Sequence, residues 1–280
     1  MSEDAIHPPL TVMTVNIHKG FTSFNRKFIL PELREAVRKV GADVVFLQEV
    51  LGSHQKHSRR FEQFPREPHY EFLADSIWPQ YAYGKNMVYP HGDHGNAVMS
   101  KYPILGYQNH DVSIVGPEKR GLLHCVLQLP ARAMNVHVIC VHLGLAESHR
   151  QQQLELLCHV VRDEIPADAP LIVAGDFNDW RRRAHDILEQ GAGLREVFVQ
   201  AYGEAARTFP ARFPLLLFNQ ELLALLSAGI ALADALSALA EKENRPAVHS
   251  VLAALGTGLR EGRTLSATLE TQPQAFPDLY

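Results

Sequence analysis

The sequence predicts a layered α/β fold followed by a small helical segment. Two observations carry that prediction. Four short apolar runs each end on polar, chemistry-bearing side chains, and the composition changes abruptly near residue 215. Strands that end this way bring their side chains to one edge of a sheet, where the following loops can converge on a single point.

In chain order, the first run spans 11–15 and ends in Asn16, Ile17 and His18. The second spans 43–47, reads Asp-Val-Val-Phe-Leu, and ends in Gln48 and Glu49. The third spans 135–141 and ends in His142. The fourth, Pro-Leu-Ile-Val-Ala at 170–174, runs into Gly175-Asp176-Phe177-Asn178-Asp179, so Asp176 and Asn178 stand at alternate positions that face the same way. An Asp-x-Asn turn alone is a common loop device, because both side chains bond their own backbone. A carboxylate and an amide repeated at four strand ends suit a metal, a water and a phosphate oxygen instead. His124 and His137 alternate with apolar neighbours inside strands, which fits core or sheet-surface roles.

Asn16 in Val-Asn-Ile-His, Glu49 in Leu-Gln-Glu-Val, the stretch 95–104 (Gly-Asn-Ala-Val-Met-Ser-Lys-Tyr-Pro-Ile), His142 in Val-His-Leu and Gly175-Asp-Phe-Asn178 occur in that order. Together they resemble the successive motifs of the endonuclease/exonuclease/phosphatase superfamily, the DNase I-like metal-dependent phosphoesterases. The resemblance runs from residue 10 to about residue 214. It implies a four-layered αββα sandwich with two mixed sheets face to face and helices outside. It also implies hydrolysis of a phosphate ester with help from Mg²⁺ or Mn²⁺. Glu49 is then the metal ligand, since Mg²⁺ takes few protein oxygens and keeps several waters. Asn16 either orients Glu49 or touches the metal shell, and His18 is close enough in sequence to join that surrounding layer. By the same resemblance Asp176 positions or activates the attacking water, Asn178 holds a phosphoryl oxygen, and His142 donates to the phosphate as charge builds. Arg120 is either a phosphate clamp, its fork matching phosphate geometry, or an exposed charge at a strand start. Asn96 joins Arg120 as an expected substrate-binding residue. Nucleic acids, phospholipid head groups and inositol phosphates are the substrate classes the resemblance brings.

One departure is informative. The family's last strands carry a Leu-Asp-Arg-Ile-like stretch and then Ser-Asp-His, whose His completes the site. Here residues 207–216 read Arg-Thr-Phe-Pro-Ala-Arg-Phe-Pro-Leu-Leu, no Ser-Asp-His follows, and His249 is the only later histidine, with no Asp before it. A catalytic pair and two core strands are therefore expected to be missing, and turnover to be weak.

Fourteen of the fifteen histidines precede residue 215, whereas residues 215–280 hold 16 leucines and 12 alanines, so the second part is not a continuation of the first. Leu222, Leu226, Leu232, Leu236, Leu239, Val248, Leu252, Leu255 and Leu259 recur at helical intervals. Gly229 is expected to stop the first helix, Pro246 to open the third, and Gly256, Gly258 and Gly262 to thin out its end. Leu226-Ser-Ala-Gly-Ile, Ala233-Asp-Ala-Leu-Ser-Ala-Leu, Glu261-Gly-Arg-Thr-Leu-Ser and Phe276-Pro-Asp-Leu-Tyr280 resemble about half of a domain of the inner-membrane platform protein F of type II secretion and type IV pili. The expected domains are thus 1–214 and 215–280. No transmembrane segment is expected, because Asn219, Gln220, Glu221 and Asp234 interrupt the apolar run. Self-association through the uncovered helical face is the partner expectation for this part.

The N-terminus has neither a basic start nor an apolar stretch, and three cysteines without a Cys-x-x-Cys fit reduced thiols, so a cytoplasmic location is expected. A net charge of −4 gives no broad basic field for wrapping duplex DNA, although local basic clusters occur at 54–60 and 181–183. The favoured function is a metal-dependent phosphoesterase. The alternative is a non-catalytic interaction or secretion-platform fragment fused to a degenerate hydrolase domain.

Overall fold

The computed structural model describes residues 9–22, 27–54, 61, 63–116, 118–130, 133–179, 184–197 and 200, and toward the C-terminus 218, 222, 225–226, 230–243, 246–272 and 275–276. The basic clusters at 55–60 and 181–183, the divergent stretch 207–216 and the expected helix stop at Gly229 lie outside the described residues. The chain divides into two compact units, Met1–Arg195 and Glu196–Tyr280. That boundary precedes the one expected at 214/215.

The first unit holds two four-stranded sheets. One is ordered β1-β2-β4-β3, from β1 (Val12–Asn16), β2 (Val44–His54), β3 (Gln80–Tyr89) and β4 (Gly92–Ser100). The other is ordered β5-β6-β7-β8, from β5 (Ile104–Asp111), β6 (Gly121–Leu129), β7 (Met134–His142) and β8 (Leu171–Asp176). Both are mixed, since β1–β2 and β7–β8 are parallel and the remaining pairs antiparallel.

Period-two alternation sorts the strand residues into layers. Val44 and Phe46 of β2 and Val98 of β4 pack with Leu123, Cys125, Leu127, Val138 and Cys140 of the second sheet, making a dry inter-sheet core. Their neighbours Val45, Leu47 and Met99 face the other way, onto helices α1 (Leu30–Val40) and α2 (His69–Ala74) through Leu30, Val37 and Leu73. On the far side, Leu122, Ile139 and Val141 pack under α3 (Glu147–Glu164) and α4 (Ala184–Ala192) through Leu154, Leu157, Val161 and Ala184. The result is the expected helix–sheet–sheet–helix layering. Helix α1 has local signals for both its ends: Pro31 in the first turn and Gly41 at φ 60°, whose N–H closes on Val37 O.

The second unit has its own core. Helices α5 (Leu232–Lys242), α6 (Pro246–Arg260) and α7 (Leu265–Glu270) bury Leu236, Leu239, Val248, Leu252 and Leu255 together with Phe218 and Phe276. Pro246 opens α6 as expected, but Gly256 and Gly258 do not weaken its end. A Cβ on Gly258 would lie 2.5 Å from Thr268, so this glycine lets α7 approach α6 closely. Termination falls to Gly262, at φ 84°. Thr264 caps α7, its Oγ1 accepting from Ala267 N–H at 3.2 Å. Among the described residues no helix is long and apolar enough to cross a membrane.

Candidate active site

Alternation also decides which strand ends face inward. Met13 and Val15 point to the helices, so Thr14 and Asn16 point between the sheets. Val138 and Cys140 face inward, so His142 does as well; Ile172 and Ala174 do the same for Asp176. In the parallel β7–β8 ladder His142 and Asp176 are paired directly, and across β1–β2 Asn16 is paired with Gln48. Three inward side chains from three carboxyl ends thereby meet at the mouth of the sandwich.

Glu49 reaches the same place through a bulge. The β2–β4 register runs Leu47↔Ala97 and then Val50↔Gly95, so Gln48 and Glu49 share one partner position. Such an extra residue bends the strand and re-aims its side chain. Glu49 itself has φ 54°. Six described non-glycine residues have positive φ, and four of them (His18, Lys19, Glu49 and Asn178) belong to this cluster. A conformation of that kind costs about 1–3 kcal/mol and persists only where its surroundings enforce it. One glycine is also required here: Gly175 has φ 146°, and a Cβ on it would lie 2.0 Å from Val141 O.

The polar contacts converge on Asn16. Its Nδ2 donates to Asp176 Oδ2 at 3.1 Å and to Glu49 Oε1 at 3.4 Å, while its Oδ1 accepts from His18 N–H at 3.0 Å. His18 Nδ1 and Lys19 Nζ stand 3.4 and 3.7 Å from Glu49 Oε2. His142 Nε2 lies 3.9 Å from Asp176 Oδ2. Burial on its own would raise the Glu49 pKa, but the hydrogen bond from His18 and the charges of Lys19 and His142 outweigh it and hold the carboxyl at about 2. His142 moves down to about 4, first through burial and then through the Arg120 charge, against the pull of Asp176 and Glu49. At neutral pH the site therefore presents an ionised carboxylate beside a neutral imidazole.

Asn178 follows the strand rather than extending it. Its left-handed φ of 49° replaces the expected alternation, its N–H donates to Asp176 Oδ1 at 3.0 Å, and its Nδ2 donates to Leu143 O at 2.8 Å. The Asp-x-Asn turn and the site are thus one structure: Asn178 fixes the Asp176 carboxylate and ties it to the loop after β7. Arg120 pairs with Glu118, and its buried Nε has no hydrogen-bond partner among the described residues. Its charge is among the causes that lower the pKa of both His142 and His94.

The structure revises the expectation for Asn96. It is fully buried, and its Nδ2 donates to Gly121 O at 2.9 Å and Cys140 O at 3.3 Å, so it links the two sheets beneath the site and exposes no atom to a substrate. Gln48 makes a second such link, donating from Nε2 to Cys140 Sγ at 3.2 Å. Two further site groups were not singled out from sequence. Lys19 stands against Glu49 in the turn after β1. His94 faces inward two positions before Asn96, and its pKa falls to about 4 through burial and then the charge of Lys19, with Glu49 opposing. The alternation His94-x-Asn96 was the available signal for His94.

Residues 13–218 match the family model described as the Endonuclease/Exonuclease/phosphatase family, and residues 218–280 match that of the Type II secretion system (T2SS), protein F. The "Uncharacterized protein YbhP" of Escherichia coli (strain K12) is 58% identical over 205 residues, covering 73% of this chain and 81% of that protein. Among solved structures, the human Nocturnin catalytic domain with bound sulfate anion superposes with a TM-score of 0.53 at 19% identity, over 71% of this chain and 75% of that one. Humanized TDP2 of D. rerio gives 0.50 at 18% identity, over 70% of this chain and 78% of that one. These structures share the fold. With the family model spanning most of the sandwich and a relative of this identity, the chain belongs to the endonuclease/exonuclease/phosphatase family, while its C-terminal residues 218–280 are similar to the secretion protein F model.

Proposed function

We propose that the sandwich is a metal-dependent phosphoesterase that hydrolyses a phosphate ester by attack of water. The single observation that supports this best is the joining of Glu49 and Asp176 by one Asn16 amide, with His142 alongside. The donor set fits a hard cation such as Mg²⁺ or Mn²⁺: a carboxylate already ionised, with a second carboxylate beside it, and a Glu49 oxygen that already draws one cation, the Lys19 ammonium. Glu49 would hold the ion, and Asn16 would fix the Glu49 carboxylate. When bound, the ion supplies positive charge next to the phosphoryl oxygens. Asp176, held at both oxygens by Asn16 and the Asn178 N–H, orients the attacking water and accepts its proton. Neutral His142 donates a hydrogen bond to the phosphoryl group, Arg120 adds its charge from the β6 start, and the Asn178 amide, one N–H of which is given to Leu143 O, would offer the other to a phosphoryl oxygen.

Turnover is weak in this reading, because no Ser-Asp-His follows the Gly175–Asn178 motif. A missing acid–base group of that kind costs about 10²–10⁴ in rate. The test is hydrolysis by the full chain of bis-p-nitrophenyl phosphate, a nucleic acid, a phospholipid and an inositol phosphate, each with and without Mg²⁺. Metal-dependent product that disappears in Glu49→Ala and Asp176→Ala supports the reading. A folded chain that binds Mg²⁺ and hydrolyses none of the four supports the second reading, an interaction module of the secretion-platform kind. That reading is favoured by the separate helical core of the second unit.

A further inference from the structure

A second cluster of metal-binding groups lies on the opposite face of the β5–β8 sheet, away from the proposed active site. His124 is opposite Gln108 and Ile139, so it shares a face with His110 on β5 and His137 on β7. Leu122 and Ile139 show that this is the face covered by α3. On α3, Leu154, Leu157 and Val161 form the buried stripe, and Glu164 falls at the next step of that spacing. A carboxylate thus stands where the stripe would place another apolar side chain.

The contacts are close. His110 Nε2 lies 3.3 Å from Glu164 Oε2, near the separation of two ligands on a tetrahedral ion whose bonds are about 2.0–2.1 Å. One donor atom from each of His110, His124 and Glu164 lies within 4.8 Å of the other two. His110 Nε2 is buried and makes no hydrogen bond of proper geometry among the described residues. His124 Nε2 is 2.9 Å from His137 Nδ1, and the two rings stack at 5.1 Å. A ligating histidine is commonly oriented by a hydrogen bond at its other nitrogen, and His137 is placed to supply it. Among the described residues this is the one grouping of three His, Cys, Asp or Glu donors with such spacing.

We propose that His110, His124 and Glu164 form a second metal site that takes a borderline transition ion of the Zn²⁺ class, with His137 as the positioning residue behind His124. Two imidazoles and one carboxylate select such an ion over Mg²⁺, which prefers an all-oxygen shell. Glu164, with 37% of its side chain exposed, leaves the site open to solvent on one side. The bound ion ties edge strand β5 to β6 and to the last turn of α3.

Co²⁺ is the probe, because its visible bands report coordination directly. The experiment uses the full chain carrying Glu49→Ala, so that the first site does not contribute. The expected result is one Co²⁺ per chain with tetrahedral-type absorption, displaced by Zn²⁺, and a Zn²⁺-dependent rise in Tm. Adding Glu164→Gln, at a partly exposed helix end, weakens the affinity at least 10–100-fold, roughly the range found for the outer partners of such sites. His110→Gln does the same, and His137→Phe lowers affinity while one equivalent still binds. A folded parent that takes up no Co²⁺ overturns the proposal. So does equal Co²⁺ affinity, or an equal Zn²⁺ shift in Tm, in the parent and in Glu164→Gln.

Discussion

Asn16 Nδ2 donates to Asp176 Oδ2 at 3.1 Å although 160 residues separate them. The same amide reaches Glu49 Oε1, so one neutral side chain holds two carboxylates from opposite sheets in register. Replacing it with alanine leaves the two acids close together without their shared donor. Asn16→Ala is expected to lower kcat/KM or metal affinity by about 10–100-fold. Steady-state kinetics across a metal titration checks this, and an unchanged far-UV CD spectrum shows that the fold is kept.

Asn96 tests the difference between a floor and a wall. As a buried inter-sheet link, Asn96→Ala strips the donor from the Gly121 and Cys140 carbonyls and costs about 1–3 kcal/mol. Denaturant unfolding should show that loss, with KM nearly unchanged in the folded fraction. A rise in KM at unaltered stability would return Asn96 to the substrate.

Gly175→Ala places a methyl against Val141 O and forces an unfavourable φ. Destabilisation of more than about 1 kcal/mol is expected. Because β7 and β8 carry His142 and Asp176 in one register pair, activity should fall along with it. Thermal unfolding and turnover measured on the same samples separate the two effects.

Asp43 sets part of the acid sensitivity. Burial works to raise its pKa, but the Thr11 N–H and hydroxyl and the Lys101 ammonium outweigh it and leave the pKa below the usual carboxylate value. A carboxyl lowered in the folded state contributes stability that is complete above its unfolded pKa and is lost as pH falls through the folded one. Stability of the wild type should therefore drop below about pH 4, and the drop should be smaller in Asp43→Asn. Urea midpoints at several acid pH values measure it.

The absent Ser-Asp-His motif makes a prediction of gain. Exchanging residues 217–280 for a tail bearing Leu-Asp-Arg-Ile and Ser-Asp-His should raise turnover about 10²–10⁴-fold. No gain in a folded, metal-binding chimera contradicts the account of weak turnover.

Much of this was legible in the sequence for a simple reason. A strand of period two that ends on a polar residue fixes both the position and the facing of that residue, and Asn16, His142 and Asp176 are all of this kind. Glu49 was legible as a strand end, yet β2 runs on past it to His54, and only the bulge opposite Asn96 turns it toward the site. Lys19 was missed because its role depends on a left-handed turn, which leaves no local pattern; His94 shares the alternation of Asn96, but its nearness to the site depends on pairing across strands. Asn96 was misread because an amide near a motif looks alike whether it meets a ligand or two carbonyls of the facing sheet. Gly258 was taken for a helix ending because sequence does not show that Thr268 comes back against it.

The central claim is that Asn16, Glu49, His142 and Asp176 serve one hard divalent cation. Mn²⁺ binding followed by electron paramagnetic resonance, with Mg²⁺ as competitor, tests it most directly. The account predicts one Mn²⁺ per chain that Mg²⁺ displaces, lost in Glu49→Ala, weakened about 10–100-fold in Asn16→Ala, and retained in Glu164→Gln. Undiminished, Mg²⁺-sensitive Mn²⁺ binding in a folded Glu49→Ala chain would contradict it.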